Sequence, residues 1–253
     1  MAGFKTHITF STILGAGYGA AAYWFYDVPI PTCVLAGGLC GVSGMLPDLD
    51  SGPGRPLHES MAFGAAVVPM MLMPYFNQLG WAHELIILAG AAIYLLIRFG
   101  GVFLLHRCTE HRGMFHSLPA AAIFGEIAFL LASGTDIDLR LFKAGGVVLG
   151  FFSHLFLDEV YSFEWKRGRL HLKNSFGTAI KFIGRGWGAT LLTYAELGLL
   201  SIVVLHEPRW MQVYCDQTPD AAVQQSVAAG GNAAPLKSAH ASSQSKRLWP
   251  WQR

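Results

Sequence analysis

The stretch "AGGVVLGFFSHLFLDEV", Ala144 to Val160, decides the fold. Its first ten residues carry no ionisable group, and then His154 and Asp158 stand four apart with only Leu-Phe-Leu between them. Residues at that spacing share one face of a helix. An ionisable group at the centre of a membrane helix costs about 2.5–3.5 kcal/mol on insertion scales, so such groups are retained for function. A His and a carboxylate one turn apart can hold one metal ion, or the carboxylate can orient the imidazole. The stretch therefore predicts a membrane helix with a polar site at one end.

Composition carries the same message outward along the chain. Of 253 residues, 53% are hydrophobic and 13% charged, against about 25% charged in an ordinary soluble domain. Apolar runs lie at roughly 8–26, 31–47, 61–76, 84–105, 117–133, 141–157 and 187–206. Runs near 20 residues are what a hydrocarbon core about 30 Å thick asks of a helix. The expected fold is all-α: a polytopic membrane bundle of six or seven transmembrane helices, with a metal site at its cytoplasmic end. Residues 1–206 form this domain, 158–186 is a basic interfacial segment, loop or helix, and 207–253 is a polar tail expected to be disordered.

Threading the chain through seven spans sorts the basic residues. Ten Lys and Arg, from Lys5 through Arg112 to Arg185, fall on one side, while the short loops of the other side receive Arg140 and Lys143. The richer side is cytoplasmic by the positive-inside rule. A net charge of +2 makes no field that would draw nucleic acid, and none is expected as a partner. The four cysteines are scattered without metal-ribbon or redox spacing and read as small core residues.

The same threading brings His7, the "LPDLD" carboxylates Asp48 and Asp50, His111 and His116 of "HRGMFHS", and the His154 and Asp158 pair to the cytoplasmic side. Imidazole and carboxylate without thiolate suit a divalent metal, zinc first and manganese or iron after it, as one or two ions. Arg112 suits an anionic oxygen, because a guanidinium grips phosphate bidentately. Ser117 and Ser153 fit helix turns better than a nucleophile's place. His58, His106, His171 and Glu126 receive no role.

These motifs resemble the LexA-binding, inner-membrane-associated hydrolases over roughly residues 1–165. The ligand order is more loosely similar to zinc-dependent phospholipase C and P1 nuclease. The resemblance implies a multi-pass inner-membrane protein whose metal ligands are His7, Asp48, Asp50, His111, His116, His154 and Asp158, with Arg112 and Ser117 beside them. Phe115 departs from the family pattern, where a small polar residue is expected.

The functional expectation is metal-activated water attacking an ester or phosphoester, with Asp50 as general base and Arg112 and His111 at the reacting group. Membrane lipids and an anionic or phosphorylated substrate are the expected partners. A divalent-metal transporter is the alternative, along with a metal-sensing or partner-binding membrane protein. Transport asks for ligands near mid-membrane with access to both faces, whereas these ligands gather at one side.

Overall fold

The computed structural model describes residues 3–50, 55–103, 114–132, 134, 136–166, 169–172, 181–184 and 186–207. His106, His111, Arg112 and the tail from 208 onward lie outside the described residues, as do the side chains of Asp50 and His171. Among the described residues the seven apolar runs become seven α-helices: α1 (Phe4–Tyr26), α2 (Ile30–Ser43), α3 (Arg55–Gln78), α4 (His83–Leu95), α5 (Leu118–Leu131), α6 (Ile137–Val160) and α7 (Trp187–Leu205). A short 3₁₀ turn, Leu46–Asp50, follows α2, and α4 continues into a π-helical turn, Leu96–Gly101.

Four helices are long and apolar enough to cross a membrane: Leu57–Gln78, His83–Gly101, Ile137–Val160 and Trp187–Leu205. The expectation of six or seven full spans is met only in part. Helices α2 and α5 have 14 residues each, or about 21 Å at 1.5 Å per residue, short of the hydrocarbon thickness. Helix α1 has 23 residues but is not among the four. Among the four spans α6 is mostly buried, while few residues of α3, α4 and α7 are buried along their apolar lengths. Exposed Trp24, Trp81 and Trp187 stand at helix ends, as interfacial aromatics do. The fold is a helical membrane bundle.

Its centre is the packing of α1, α2 and α6, and glycine makes that packing possible. His7, Ser11, Gly15, Gly19 and Ala22 form one buried stripe on α1. Gly37 of α2 sits against Gly15, and a Cβ on Gly37 would come within 2.8 Å of the Gly15 carbonyl oxygen. Gly150 of α6 rests on the end of α2, where a Cβ would collide with the Cys40 carbonyl oxygen and Ser43 Oγ. Small residues let membrane helices meet backbone to backbone. Ser11 Oγ then donates to the Gly41 carbonyl across 2.6 Å, and Tyr18 donates to the Phe142 carbonyl across 2.9 Å.

Two sequence expectations are corrected. Arg140 and Lys143 do not stand in a short loop, because both fall within α6. Asp136 caps α6 by accepting from the amides of Asp138 and Leu139, so Arg140 falls inside the first turn of the helix and is 1% exposed. Its guanidinium donates to Glu207 (2.8 Å) and to the Phe129 carbonyl (3.2 Å), and lies 4.2 Å from the Phe129 ring centroid. The segment after α6 is neither loop nor helix at its start. It forms an antiparallel hairpin, β1 (Phe163–Lys166) with β2 (Arg169–Leu172), pairing Phe163 with Leu172 and Lys166 with Arg169. Its sequence alternates apolar and polar residues with a period of two, which suits a strand.

Candidate metal centre

Five of the seven expected ligands converge. His7 comes from the first turns of α1, Asp48 from the 3₁₀ turn, His116 from just before α5, and His154 and Asp158 from the last turns of α6. His7 Nε2 lies 3.3 Å from Asp158 Oδ1, and His116 Nε2 lies 3.5 Å from Asp48 Oδ1. His154 Nε2 stands between the carboxylates, 3.6 Å from Asp48 Oδ1 and 3.7 Å from Asp158 Oδ2. Two sets, His7 with His154 and Asp158, and Asp48 with His116 and His154, each bring their ligand atoms within 4.8 Å of one another. Asp50 ends the 3₁₀ turn two residues from Asp48, but its side chain, like His111 and Arg112, lies outside the described residues.

Local structure explains each placement. Pro31 in the first turn suits the start of α2, and Gly44 ends that helix and turns the chain into the 3₁₀ segment. Ser117 is the N-cap of α5: its hydroxyl accepts from the Ala120 amide at 3.3 Å and donates to the Met114 carbonyl at 2.5 Å. That cap fixes the residue before it, His116. Ser153 donates back to the Gly150 carbonyl. Phe115 turns its ring toward Phe124, centroids 6.4 Å apart.

The decisive contact is a backbone one. His154 Nδ1 lies 2.7 Å from the Gly44 carbonyl oxygen. A carbonyl only accepts, so Nδ1 carries the proton, and in the neutral ring Nε2 is a bare lone pair. That lone pair has no hydrogen-bond partner, is buried, and faces two carboxylate oxygens. Acceptor facing acceptor at low dielectric is repulsive unless a cation lies between them.

Protonating the imidazoles does not relieve this. At 3.6 and 3.7 Å the carboxylates are too far for good hydrogen bonds. The His7 and His154 rings are also stacked, centroids 3.7 Å apart and 13° from parallel, so two imidazolium charges would repel. The observed separations are close to those between neighbouring ligands of a tetrahedral zinc. Bonds of 2.0–2.1 Å place such ligands roughly 3.3–3.4 Å apart. A histidine whose other nitrogen donates to a backbone carbonyl is also the usual metal-ligating arrangement.

The centre is sealed on one side. His7, His116, His154 and Asp158 are buried, while the Asp48 side chain is 21% exposed and forms the edge that water reaches. Burial pushes the Asp48 carboxyl up, but His116 beside it and the charges of His154 and His7 outweigh burial and hold it below its ordinary value.

Among the described residues, the other polar groups singled out in the sequence lie outside both ligand sets. His58 and Glu59 are exposed on the first turn of α3, and His83 and Glu84 are exposed at the start of α4. Glu126 accepts from Ser201 across 2.6 Å, tying α5 to α7. Cys33 and Cys40 are free and buried, outside both ligand sets. Among the described residues, the Gly44 carbonyl is a group that sequence reasoning did not anticipate. Its only trace is a glycine at the end of an apolar helix.

No curated protein and no solved structure matches the chain. The model of the family described as YdjM inner membrane protein matches residues 1–169, a stretch that holds all five converging ligands and stops short of α7. The chain belongs to this family of inner membrane proteins.

Proposed function

We propose that the chain is a membrane-embedded, metal-dependent hydrolase acting on an ester or phosphoester, with lipids and lipid phosphates as the favoured substrate class. One divalent ion, zinc ahead of manganese and iron, would be held among His7, Asp48, His116, His154 and Asp158. The observation that carries this reading is His154 Nε2, a buried lone pair aimed between two carboxylates, with its other nitrogen committed to Gly44. That commitment also argues for a single ion. His154 has one nitrogen left, and both ligand sets depend on it.

When bound, such an ion supplies Lewis acidity, polarising an ester or phosphoryl oxygen and acidifying water. The chain's own groups do the rest. His154 keeps its tautomer, Asp158 braces His7, and the buried side of the cluster excludes bulk water. Asp48 marks the open edge, so a substrate approaches past it. Asp50, two residues on, is the proposed general base. Arg112 and His111, four and five residues before His116, are the proposed clamp on the developing negative charge. The excess of Lys and Arg on the ligand side of the threaded chain supports a cytoplasmic opening. A site at headgroup depth meets lipid esters without extracting them from the bilayer.

Elemental analysis of the detergent-purified full-length chain, beside a His154→Ala, Asp158→Ala double variant, tests the centre. Near-stoichiometric metal in the first and none in the second is expected. A metal-free wild type removes the metal site. A metal-loaded wild type that cleaves no phospholipid, lipid phosphate or simple phosphodiester removes the hydrolase.

A further inference from the structure

Helix α7 lies outside the region matched by the family and outside the proposed centre, and one of its residues is out of keeping with its surroundings. Glu196 is the tenth of the 19 residues of α7, the middle of a candidate span, and it is exposed. The helix fastens to the bundle by other residues. Ser201 donates to Glu126, and Thr190 is buried. The one hydroxyl a single turn away, Thr193, donates to the Ala189 carbonyl of its own helix, and Leu192, Leu199 and Leu200 fill the other adjoining positions. A carboxyl at mid-membrane depth is costly, and such groups pair with one another or with another polar group.

The surroundings of Glu196 describe what would pair with it. Ala189, Leu192, Glu196, Leu199 and Val203 are all exposed and follow at intervals of three, four, three and four. That spacing matches the a/d seam of a two-stranded helix pair, with Glu196 at the central a position. Leu192 and Leu199 are 70% and 64% exposed. In a parallel pair related by a two-fold axis, each a position meets its own counterpart. Glu196 would then meet a carboxyl at the same depth, one O–H donating to the other carboxyl's oxygen. A lone polar a-position residue also fixes register, because sliding the seam by one turn sets the carboxyl against leucine. Ala189, at one end of the seam, lets the backbones come close.

We propose that α7 is a dimerisation helix, docking a second copy of this chain in parallel along the seam Ala189, Leu192, Glu196, Leu199 and Val203, with Glu196 hydrogen-bonded to Glu196 of the partner subunit. The inference does not depend on the metal centre or on hydrolysis.

The test uses full-length protein in lipid vesicles, with subunits counted by single-molecule photobleaching over a range of protein-to-lipid ratios. Wild type is expected to show a concentration-dependent monomer and dimer balance. Glu196→Leu is expected to weaken dimerisation about tenfold, the scale of a lost interhelical polar contact. Glu196→Gln is expected to retain it, since paired amides hydrogen-bond as well. Oxidative cross-linking reports the seam directly. Leu192→Cys or Leu199→Cys should give disulfide-linked dimers above the level of the unsubstituted chain, and Leu205→Cys, on another face, should not. A wild type that stays monomeric at every ratio overturns the proposal. So does equal dimerisation of Glu196→Leu, or equal cross-linking at 192 and 205.

Discussion

The imidazole of His7 lies flat on that of His154, ring centroids 3.7 Å apart and 13° from parallel, although the two residues sit on different helices 147 positions apart in sequence. The stack joins the first turns of α1 to the last turns of α6, and each ring also reaches Asp158, at 3.3 and 3.7 Å. His7 therefore has two separable roles, as a flat ring and as a nitrogen donor. His7→Phe keeps the first and removes the second. It should leave the unfolding temperature of the metal-free protein within a few degrees of wild type while lowering metal affinity by at least about tenfold, by analogy with lost metal-site interactions. Competition against a chelator of known affinity measures this.

Gly150→Ala should be far more damaging than its size suggests. The new methyl collides with the Cys40 carbonyl and Ser43 Oγ, and overpacking of this kind costs about 1–3 kcal/mol. It also pries α6 away from the end of α2, where the Gly44 carbonyl meets His154. Metal content should fall together with thermal stability. Gly38→Ala in α2, with nothing within 4 Å of its Cβ, should do neither.

Arg140→Ala leaves Glu207 without its partner and the Phe129 carbonyl without a donor. Breaking one side of a buried ion pair costs about 3–5 kcal/mol, whereas replacing both sides with apolar groups is often neutral. Thermal denaturation in detergent should show a large loss for Arg140→Ala and recovery of most of it in an Arg140→Met, Glu207→Leu double variant. A double variant as unstable as the single one would count against the pairing.

Asp48 gives the metal-free protein an acid limit. Its carboxyl is held below its ordinary value by the imidazoles around it. A depressed carboxylate contributes stability that is fully present above its unfolded value of about 3.9 and is lost as pH falls through the folded value. Unfolding temperature should therefore respond to this group only below about pH 4, falling as acid is added. Asp48→Asn removes this titrating group and should flatten that acid limb.

Ser117→Ala removes the cap of α5 and with it the hydroxyl that ties the turn around His116 to the Met114 carbonyl. A lost N-cap costs about 1 kcal/mol. Ser117→Asp, which also accepts from an N-terminal amide, should restore most of the stability, and metal content should follow the cap.

What the sequence makes legible is periodic or electrostatic. The His154 and Asp158 pair is readable because four residues of helix place two side chains on one face, and the convergence of His7, Asp48 and His116 follows from threading apolar runs back and forth. Arg140 reads as a loop residue because the apolar run begins at 141, whereas Asp136 caps α6 one turn earlier. Helices α2 and α5 read as full spans because apolar composition reports burial in lipid and burial in protein alike. The Gly44 carbonyl was not legible at all. A backbone acceptor leaves no residue type behind, and its pairing with His154 depends on how closely Gly150 lets two helices approach.

That glycine-lined contact among α1, α2 and α6 has a consequence for life in a bilayer. Backbones in direct contact have no side-chain layer on which to slide, so the ligands they carry keep their mutual heights. Helices α4 and α7 bury little of their apolar length and carry none of the five ligands, so a change in their tilt with membrane thickness need not move the centre. The centre rides in the bundle as a compass card rides in its gimbals, levelled by the protein while the hull moves around it.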